Sequence, residues 1–588
     1  MTEKNNREII LQVILMTKNI KYSSREEQAM AEIGHTTIRP RLARLLTVVF
    51  LGLIGAAPLV QQVADIRAYQ AGRRASPLPQ CYDIFRKPSG VAEALTRQRQ
   101  SLFRRIVAAN NSLMCAMHAY ENSLEDSSLA GRAIRPSVQY VLTRWLGAGN
   151  EKTYCGQGNW LFYRPDIDYV LNHGFLEKNI MARRAAAGSE TSAAPHPDPR
   201  PAIFAFNAEL ASRGIKLILM PTPLKPVIHP EKFAAGFENF DRPVQNCDYQ
   251  KFIRDMEEAG IPVFDVSRAL VHDKKKNKRD QFLAGDTHWR PEAMEFCARL
   301  ISGFIRENIN LPTEPMIGYT AVKTNVIQRG DIIAMLRLPE RAGKFGAERV
   351  AIRQIFEPDG TPWRPRKAAD ILVLGDSFCN IYSLEAMGWG GNAGLVEQLS
   401  YETQRPVDLI AVNDNGAWAA RELLMRDLSR GDDRLAGKRA VVWQFAAREL
   451  TEGDWKIISL KSAAKKSSFL TIPAGSKLTV TGEIRAMARV PRPGSVPYAD
   501  HIVAVHLADI TDRTNEYGQA FVYMFSMTNH VPAGMAGLKP GDRVNLRLRP
   551  WSEVSAAYER INRAELDDPD LLLQEPCWGE MAPIEKQQ

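Results

Sequence analysis

Residues 371–382 read ILVLGDSFCNIY, an apolar run that stops at a glycine and then delivers an aspartate and a serine. An apolar segment without polar alternation is the pattern of a strand covered on both faces, as in parallel sheets. In such sheets ligands collect beyond the carboxyl ends of the strands, which is where Asp376 and Ser377 fall. The same residues also describe an ordinary turn into a helix, with Asp376 capping free N–H groups. Cys379 could be mistaken for a nucleophile, but a small buried residue in the first helical turn is the simpler expectation. The surrounding sequence has to separate these readings.

On both sides of this stretch, helix and strand patterns alternate. A helix near 200–213 precedes the strand IKLILMP (215–221), and the helix YQKFIRDMEEAG (249–260) precedes the short strand IPVFDV (261–266). The helix over 291–305 opens on Pro291, suited to a first turn, and repeats apolar residues at 294, 297, 300, 301 and 304. Strands DLIAV (408–412) and AVVWQF (440–445) flank the helix AWAARELLMRDL (417–428). This order predicts a doubly wound α/β domain around a parallel sheet. Before it, 98–146 is helical in pattern, 154–170 suggests an edge strand with a tight turn, and 181–200 reads as an exposed loop. After residue 456 the period changes to two. KLTVTGEIRAMARV, HIVAVHLADI, QAFVYMFSMTN and DRVNLRLRPW are four strands, with FLTIP as a fifth, which predicts a small, OB-like β-barrel or a β-sandwich.

The chain of 588 residues is long enough for two to four domains. Its net charge of +9 is small for this size and does not support nucleic-acid binding. Arg39, Arg41 and Arg44 precede LLTVVFLGLIGAAPLVQQV (45–63), 19 uncharged residues that read as one membrane-spanning signal-anchor. Arginines on that flank place residues 1–44 in the cytoplasm and the rest across the membrane. A cleaved signal peptide is the alternative, but Gly55-Ala56-Ala57 runs into Pro58 and makes a poor cleavage site. The first 38 residues are polar, their one apolar run (9–16) is too short to span, and Met30 is an alternative start. The expected units are therefore a tail (1–44), an anchor (45–63), a helical lead-in (65–150), an α/β domain (151–455) and a β module (456–588). Seven cysteines show no CxxC pair, so no zinc site is expected, and an odd count leaves at least one thiol free.

The second informative stretch is LAGDTHWRPEA (283–293). Asp286 can accept the Nδ1 proton of His288, fixing the tautomer and leaving Nε2 as a base. A serine hydroxyl becomes a good nucleophile only when such a base takes its proton, so Ser377 within reach of His288 would complete the set. Asp-x-His also occurs by chance or as half of a metal site, although no third ligand stands nearby in sequence, and Trp289 is most simply a packing residue. DKKKNKRD (273–280) places five cations a few residues upstream; a solvated loop is the first reading, and attraction of an anionic polymer is the second.

GDSF (375–378) together with DTHW (286–289) resembles the SGNH-hydrolase-like domain of the alginate O-acetyltransferases of the AlgX and AlgJ type. In ordinary SGNH hydrolases the serine block comes first; here Asp286 and His288 precede Ser377, as in this acetyltransferase branch. GNWLFYRPDIDY (158–169), LILMPTPLKPVIHPEKF (217–233) and VVWQFAARELTEGDW (441–455) agree with the resemblance, which covers about 150–455. It implies an SGNH-like, flavodoxin-like fold and a triad of Ser377, His288 and Asp286 that carries acetyl on the serine to a polysaccharide hydroxyl. It also implies a periplasmic catalytic portion on an inner-membrane anchor, no cofactor, and a membrane-bound O-acyltransferase as acetyl donor. The SGNH oxyanion asparagine has two candidates, Asn413 and Asn415, and nearness to the motifs suggests Tyr382 and Arg448 as groove residues. The β module stands where relatives carry a carbohydrate-binding domain. Its aromatic and basic content, including Tyr523, Arg549 and Trp551, suggests polymer contacts; a barrel that only braces the domain is the alternative. An acetyl esterase with the same triad, or a non-catalytic scaffold of an export complex, are the rival functions.

Overall fold

The computed structural model describes residues 40–70, 128–186, 195–339, 343–429, 431–460, 469–491, 498–511, 516–559 and 574–582, with isolated positions between 105 and 121 and at 496, 561–566, 568 and 571. The expected polar tail, Cys81, Cys115, much of the 98–146 segment and the centre of the 181–200 loop lie outside the described residues.

The described part of the first unit is the helix Pro40–Gln70, which contains the apolar run and extends past both its ends. Over Pro40–Arg67 it is long and apolar enough to cross a membrane, with a mean hydropathy of 2.0 in its most apolar window. Its charges, Arg41, Arg44, Asp65 and Arg67, lie only toward the two ends.

The second unit begins after Ala68 and holds the α/β domain and the β module. A short antiparallel hairpin opens the α/β domain, β1 (Thr153–Cys155) with β2 (Leu161–Tyr163), turning through Gly158 and Asn159 at φ 56° and 68°. The chain then lays down β3 (Lys216–Thr222), a hairpin of β4 (Thr320–Gln328) with β5 (Glu348–Phe356), and the strands β6 (Ile371–Gly375), β7 (Asp408–Ala411) and β8 (Ala440–Ala446). The central sheet has the order β3-β8-β6-β7 and every pairing is parallel. All residues of β6 and β8 are buried, which is why their sequences show no alternation. Helices Pro199–Ala211, Tyr249–Glu258, Pro291–Asn308, Leu395–Thr403 and Ala419–Ser429 accompany the sheet, all but Leu395–Thr403 within about three residues of the sequence prediction.

Two expectations change. IPVFDV is not a full strand. It adds to β3 only through the bridge Leu219↔Val263 and two bonds, Leu219 N–H to Pro262 O at 3.0 Å and Phe264 N–H to Leu219 O at 2.8 Å. Pro262 has no N–H to extend the ladder. The β4–β5 hairpin was not foreseen, because β4 is mostly exposed and carries no buried alternation; its partner β5 buries Val350, Ile352 and Ile355.

The β module consists of β9 (Leu478–Met487), β10 (His501–Thr511), β11 (Glu516–Thr528), β12 (Val531–Pro532), β13 (Arg543–Pro550), β14 (Asn562–Ala564) and β15 (Cys577–Met581). Pairings β9–β10, β10–β11, β11–β15, β15–β13 and β13–β9 close a five-stranded barrel, with β12 and β14 on its flanks. The fifth barrel strand is therefore β15 at the C-terminus; FLTIP contributes only the bridge Phe469↔Gln519 before Pro473 interrupts it. Gly579 lets β15 come in close, since a Cβ there would sit 2.7 Å from Val522 Cγ1.

Among the described residues, Tyr498 and Met527 of the β module join the α/β core, and polar contacts add to the tie. Arg426, on helix Ala419–Ser429, pairs with Glu565 at 3.1 Å and bonds to the Tyr523 hydroxyl. The Tyr498 hydroxyl donates to Asp414 Oδ2 at 2.9 Å, in the loop after β7.

Candidate active site

Ser377 is the first residue of a short helix, Ser377–Asn380, that leaves the carboxyl end of β6. The turn is tight: a Cβ on Gly375 would lie 2.5 Å from Cys379 Sγ. Asp376 caps this helix, accepting from Phe378 N–H at 2.9 Å, and its carboxylate also accepts from Gln444 Nε2 at 2.9 Å and Ala446 N–H at 2.6 Å. The cap thus clamps the end of β6 to the end of β8, and the turn and site readings of GDSF are compatible. As the first helical residue, Ser377 has an N–H of the kind a helix start leaves unpaired.

His288 sits in a loop pinched by Leu283 N–H to His288 O at 3.1 Å and Arg290 N–H to Gln281 O at 2.8 Å. Its Nδ1–H donates to Asp286 Oδ1 at 2.7 Å, and its backbone N–H reaches the same oxygen at 3.1 Å. Asp286 Oδ2 accepts from Asp331 N–H at 3.0 Å and Trp389 Nε1–H at 2.9 Å. Burial alone would raise the Asp286 pKa, but the hydrogen bond and charge of His288 outweigh it and hold the carboxyl below its usual range. Burial likewise opposes charge on His288, yet the bond to Asp286 leaves its pKa raised. An ionised Asp286 only accepts, so Nδ1 carries the proton and Nε2 presents a lone pair. That Nε2 is buried and has no hydrogen-bond partner.

The Asp286–His288 loop and the β6 exit meet through Phe378, whose ring centroid lies 4.9 Å from that of His288 and 5.3 Å from that of Trp289. Trp289 is fully buried, the packing role its sequence context suggested. The structure therefore brings Asp286 and His288 into direct contact and sets Ser377 next to Phe378, whose ring packs tilted against the His288 imidazole; Ser377 Oγ and His288 Nε2 are not hydrogen-bonded to each other. Catalytic hydrogen bonds are commonly long before substrate binds.

Asp331 is the group that sequence reasoning missed. Ligand atoms of Asp286, His288 and Asp331 lie within 4.8 Å of one another, so a third potential metal ligand exists after all. The donor set does not suit a cation. All four carboxylate oxygens already accept, those of Asp331 from Thr287 N–H at 2.8 Å and Thr287 Oγ1–H at 2.5 Å. Burial and the charge of Asp286 push the Asp331 pKa up. A signal for it was present: Gly330-Asp331 opens an apolar helix, Asp331–Met335, much as GDSF does. A Cβ on Gly330 would come 2.1 Å from Gly285 O, so the two loops meet only because residue 330 lacks one. Lys225 was also missed. It is buried and donates to Leu161 O at 2.8 Å and Ala284 O at 3.3 Å, tying β2 to the histidine loop, with its pKa brought down to about 8 by burial.

Other candidates fare differently. Asn413 is buried, accepts from Asn380 Nδ2 at 2.7 Å and faces Met387 Sδ at 3.3 Å, close to the helix that Ser377 starts. Asn415 is an exposed left-handed residue, φ 57°, whose carbonyl accepts from Trp418 and Ala419 N–H; it is a turn residue, not an oxyanion donor. Tyr382 does not line a groove, because its side chain is fully buried and its hydroxyl donates to Trp289 O at 2.7 Å. Arg448 lies under Phe378, its guanidinium 6.0 Å from the ring centroid, and pairs with buried Asp166 at 3.0 Å. The barrel trio is not an exposed surface. Tyr523 is 0% and Trp551 8% exposed, and Arg549 is paired with Glu580 at 2.9 Å. Alternating strands hid this, since both faces of β11 are covered around residue 523. DKKKNKRD is a loop only in its last three residues: 273–277 end helix Ser267–Asn277 and 278–280 follow it, with Lys274 paired to Glu231 and Arg279 to Asp273, both at 2.9 Å. Cations suit that helix end.

A cleft of about 470 Å³ opens onto Asp286 and His288, with Arg329, Asp331, Arg337, Glu385 and Trp389 on the α/β side and Asp500, Asn529 and His530 on the barrel side.

A family profile described as the SGNH hydrolase-like domain of acetyltransferase AlgX matches residues 154–447. The chain belongs to this AlgX/AlgJ family. The matched segment runs from β1 through β8 and stops before the barrel. The probable alginate O-acetylase AlgJ of Pseudomonas aeruginosa is 31% identical over 378 residues, covering 61% of this chain and 87% of that protein. Among solved structures, the O-acetyltransferase domain of Pseudomonas putida AlgJ covers 51% of this chain and 93% of its own, at 17% identity and a TM-score of 0.38. Pseudomonas aeruginosa AlgX covers 65% of this chain and 84% of its own, at 16% identity and a TM-score of 0.35. Membership of the AlgX/AlgJ family supports acyl transfer as the chemistry of the domain.

Proposed function

We propose that this chain is an O-acetyltransferase that moves acetyl groups through an acetyl-Ser377 intermediate onto hydroxyls of an alginate-like polysaccharide. The observation that carries the reading is the bare, buried Nε2 of His288, oriented by Asp286 and set beside the GDSF turn. His288 takes the Ser377 hydroxyl proton as Oγ attacks the acetyl carbonyl of the donor, then returns it to the departing donor oxygen. In the second half His288 takes the proton of a sugar hydroxyl. That oxygen attacks the acetyl-serine carbonyl, and Ser377 leaves with the proton. The unpaired N–H of Ser377 and the amide of Asn413 are the oxyanion donors in this scheme.

Helix Pro40–Gln70 anchors the chain in the inner membrane in this reading, with the domain in the periplasm. No acetyl-CoA pool serves that compartment, so a membrane-bound O-acyltransferase supplies the acetyl group. The test is intact-protein and peptide mass spectrometry after exposure to an activated acetyl ester, with and without oligosaccharide. Acetyl on Ser377 that is discharged to sugar is the expected result. Discharge to water alone makes the protein an esterase, and no adduct makes it a scaffold.

A further inference from the structure

A surface helix of a globular domain ordinarily turns its apolar stripe inward and its polar residues to solvent. Helix Leu129–Trp145 does the reverse. Ile134, Val138, Val141 and Trp145 recur at i, i+4, i+7 and i+11, the spacing of one helix face, and all four are exposed, from 43% at Val141 to 77% at Trp145. Leu146, just past the last turn, is exposed as well. The inward side is polar. Thr143 is 1% exposed and its hydroxyl donates to Ala148 O at 2.9 Å, while Gln139 Nε2 donates to Thr143 Oγ1 at 2.9 Å and to Gly149 O at 3.0 Å. Those bonds fix which way the helix faces and hold the apolar stripe outward.

Single exposed apolar residues are ordinary, whereas a contiguous exposed stripe marks a surface that meets something. Earlier in the same lead-in, Ile106, Leu113, Met114 and Met117 also stand exposed at helical positions. The charge of the helix narrows what the stripe meets. It carries Arg132, Arg135 and Arg144 and no acidic residue. Arg144 is exposed, one position before Trp145, and has no ion pair among the described residues. An apolar face ending in tryptophan with a cationic flank is the composition of helices that lie in the plane of a bilayer interface, where an indole sits at headgroup depth. The chain also brings the bilayer. Only residues 71–128 separate this helix from Pro40–Arg67, the segment long and apolar enough to cross a membrane, which keeps a bilayer at high effective concentration. A second copy docked through the same face would set one wholly cationic helix against another, which like-charge repulsion disfavours.

We propose, independently of the acyl-transfer reading, that helix Leu129–Trp145 is a membrane-surface element that lies in the headgroup layer of an anionic bilayer with Ile134, Val138, Val141 and Trp145 turned into the lipid. Two bonds connect it to the candidate site. Lys344 Nζ donates to Thr143 O at 2.5 Å, and Asn150 Nδ2 donates to Met335 O at 2.8 Å, at the end of the short helix whose Asp331 N–H holds Asp286. Docking therefore fastens to the bilayer the same segment that orients Asp286.

The test uses the full chain reconstituted into vesicles of phosphatidylethanolamine with phosphatidylglycerol, or of phosphatidylcholine alone, with and without lipids brominated on the acyl chain. Trp145 emission is taken as the difference between the unsubstituted chain and Trp145→Phe. It is expected to be quenched by brominated lipid, more strongly in the phosphatidylglycerol vesicles, and Arg144→Gln is expected to narrow that preference. Val138→Asp places a charge in the middle of the stripe at an exposed position, where substitutions leave the fold intact. This variant is expected to lose the quenching while the protein still floats with the vesicles. Trp145 emission untouched by brominated lipid in both compositions overturns the proposal, as does quenching that Val138→Asp leaves unchanged. Shielding of Trp145 that appears only as protein concentration rises in lipid-free detergent overturns it as well and assigns the stripe to a second copy.

Discussion

Two buried ionic clusters in this chain share a chemistry and differ in what they face. Around Asp286 the partners are His288, Asp331 and Trp389. Around Glu565 they are Arg426 at 3.1 Å, Arg563 at 2.7 Å and the Tyr523 hydroxyl at 2.9 Å. Both carboxylates are held below their ordinary range against the opposing effect of burial; Glu565 is brought down to about 2 by the charges of Arg426 and Arg563. A depressed carboxyl pKa therefore marks ionic partnership, not chemistry. What separates the clusters is access. His288 presents an unpartnered Nε2 beside a cleft, whereas the Glu565 cluster joins helix Ala419–Ser429 to the barrel.

The largest expected effects test that division directly. Ser377→Ala should abolish acetyl-enzyme, and Asp286→Asn should slow turnover about 10⁴-fold by releasing the histidine tautomer, both read by acetyl transfer at native stability. Glu565→Gln should instead leave the chemical step within a few-fold while costing about 3–5 kcal/mol in a denaturant melt, because Arg426 and Arg563 lose their buried counter-charge. A dead but fully stable Glu565→Gln protein would break the comparison. The pH dependence follows from the same group. Its folded pKa is lowered from 4.5 to about 2, so its contribution is present above pH 4.5 and lost as pH falls toward 2. The variant's acid melting curve should be flatter in that window.

A smaller effect sharpens the active-site side. The Asp331 carboxyl lies 3.9 Å from His288 Nδ1, and its charge, in the fraction of molecules where it is ionised, favours the imidazolium. Asp331→Asn should therefore lower the His288 pKa and move the acid limb of the rate profile to lower pH, by up to about one unit. An unmoved limb would make Asp331 a loop fastener only. The smallest effects belong to residues removed from the candidate site. Tyr382→Phe should cost about 1 kcal/mol through the lost bond to Trp289 O, with polymer affinity unchanged. Asn415→Gly should be within about 0.5 kcal/mol of neutral, since glycine accepts its left-handed backbone.

Legibility varied with the range of the interaction. The triad candidates Asp286, His288 and Ser377 could be named because each follows a recognisable run: a pinched Asp-x-His loop before Pro291, and a bare apolar strand ending in glycine. Asp331 was not named, because the Gly330-Asp331 helix start says nothing of what it meets. Its relevance depends on Gly330 meeting Gly285 across 45 residues of chain, a contact with no local periodicity. Tyr523 and Trp551 were misplaced for a related reason. Alternation tells which residues share a face of a strand, but not whether a helix from another domain covers the outer face, as Arg426 does.

The sequence by itself determined the doubly wound α/β domain, the apolar N-terminal helix, the β-rich C-terminal module and which residues are candidates for acyl transfer. These follow from short-range pattern, since strand period, helix period and a two-residue Asp-His spacing are local properties of the chain. Only the tertiary structure decided that β15 and not FLTIP closes the barrel, that three supposed polymer contacts are buried or paired, and that a barrel turn walls the cleft over His288. Those outcomes depend on which faces meet after folding, and residues hundreds of positions apart decide that through burial and charge pairing, which leave no periodic trace in the chain.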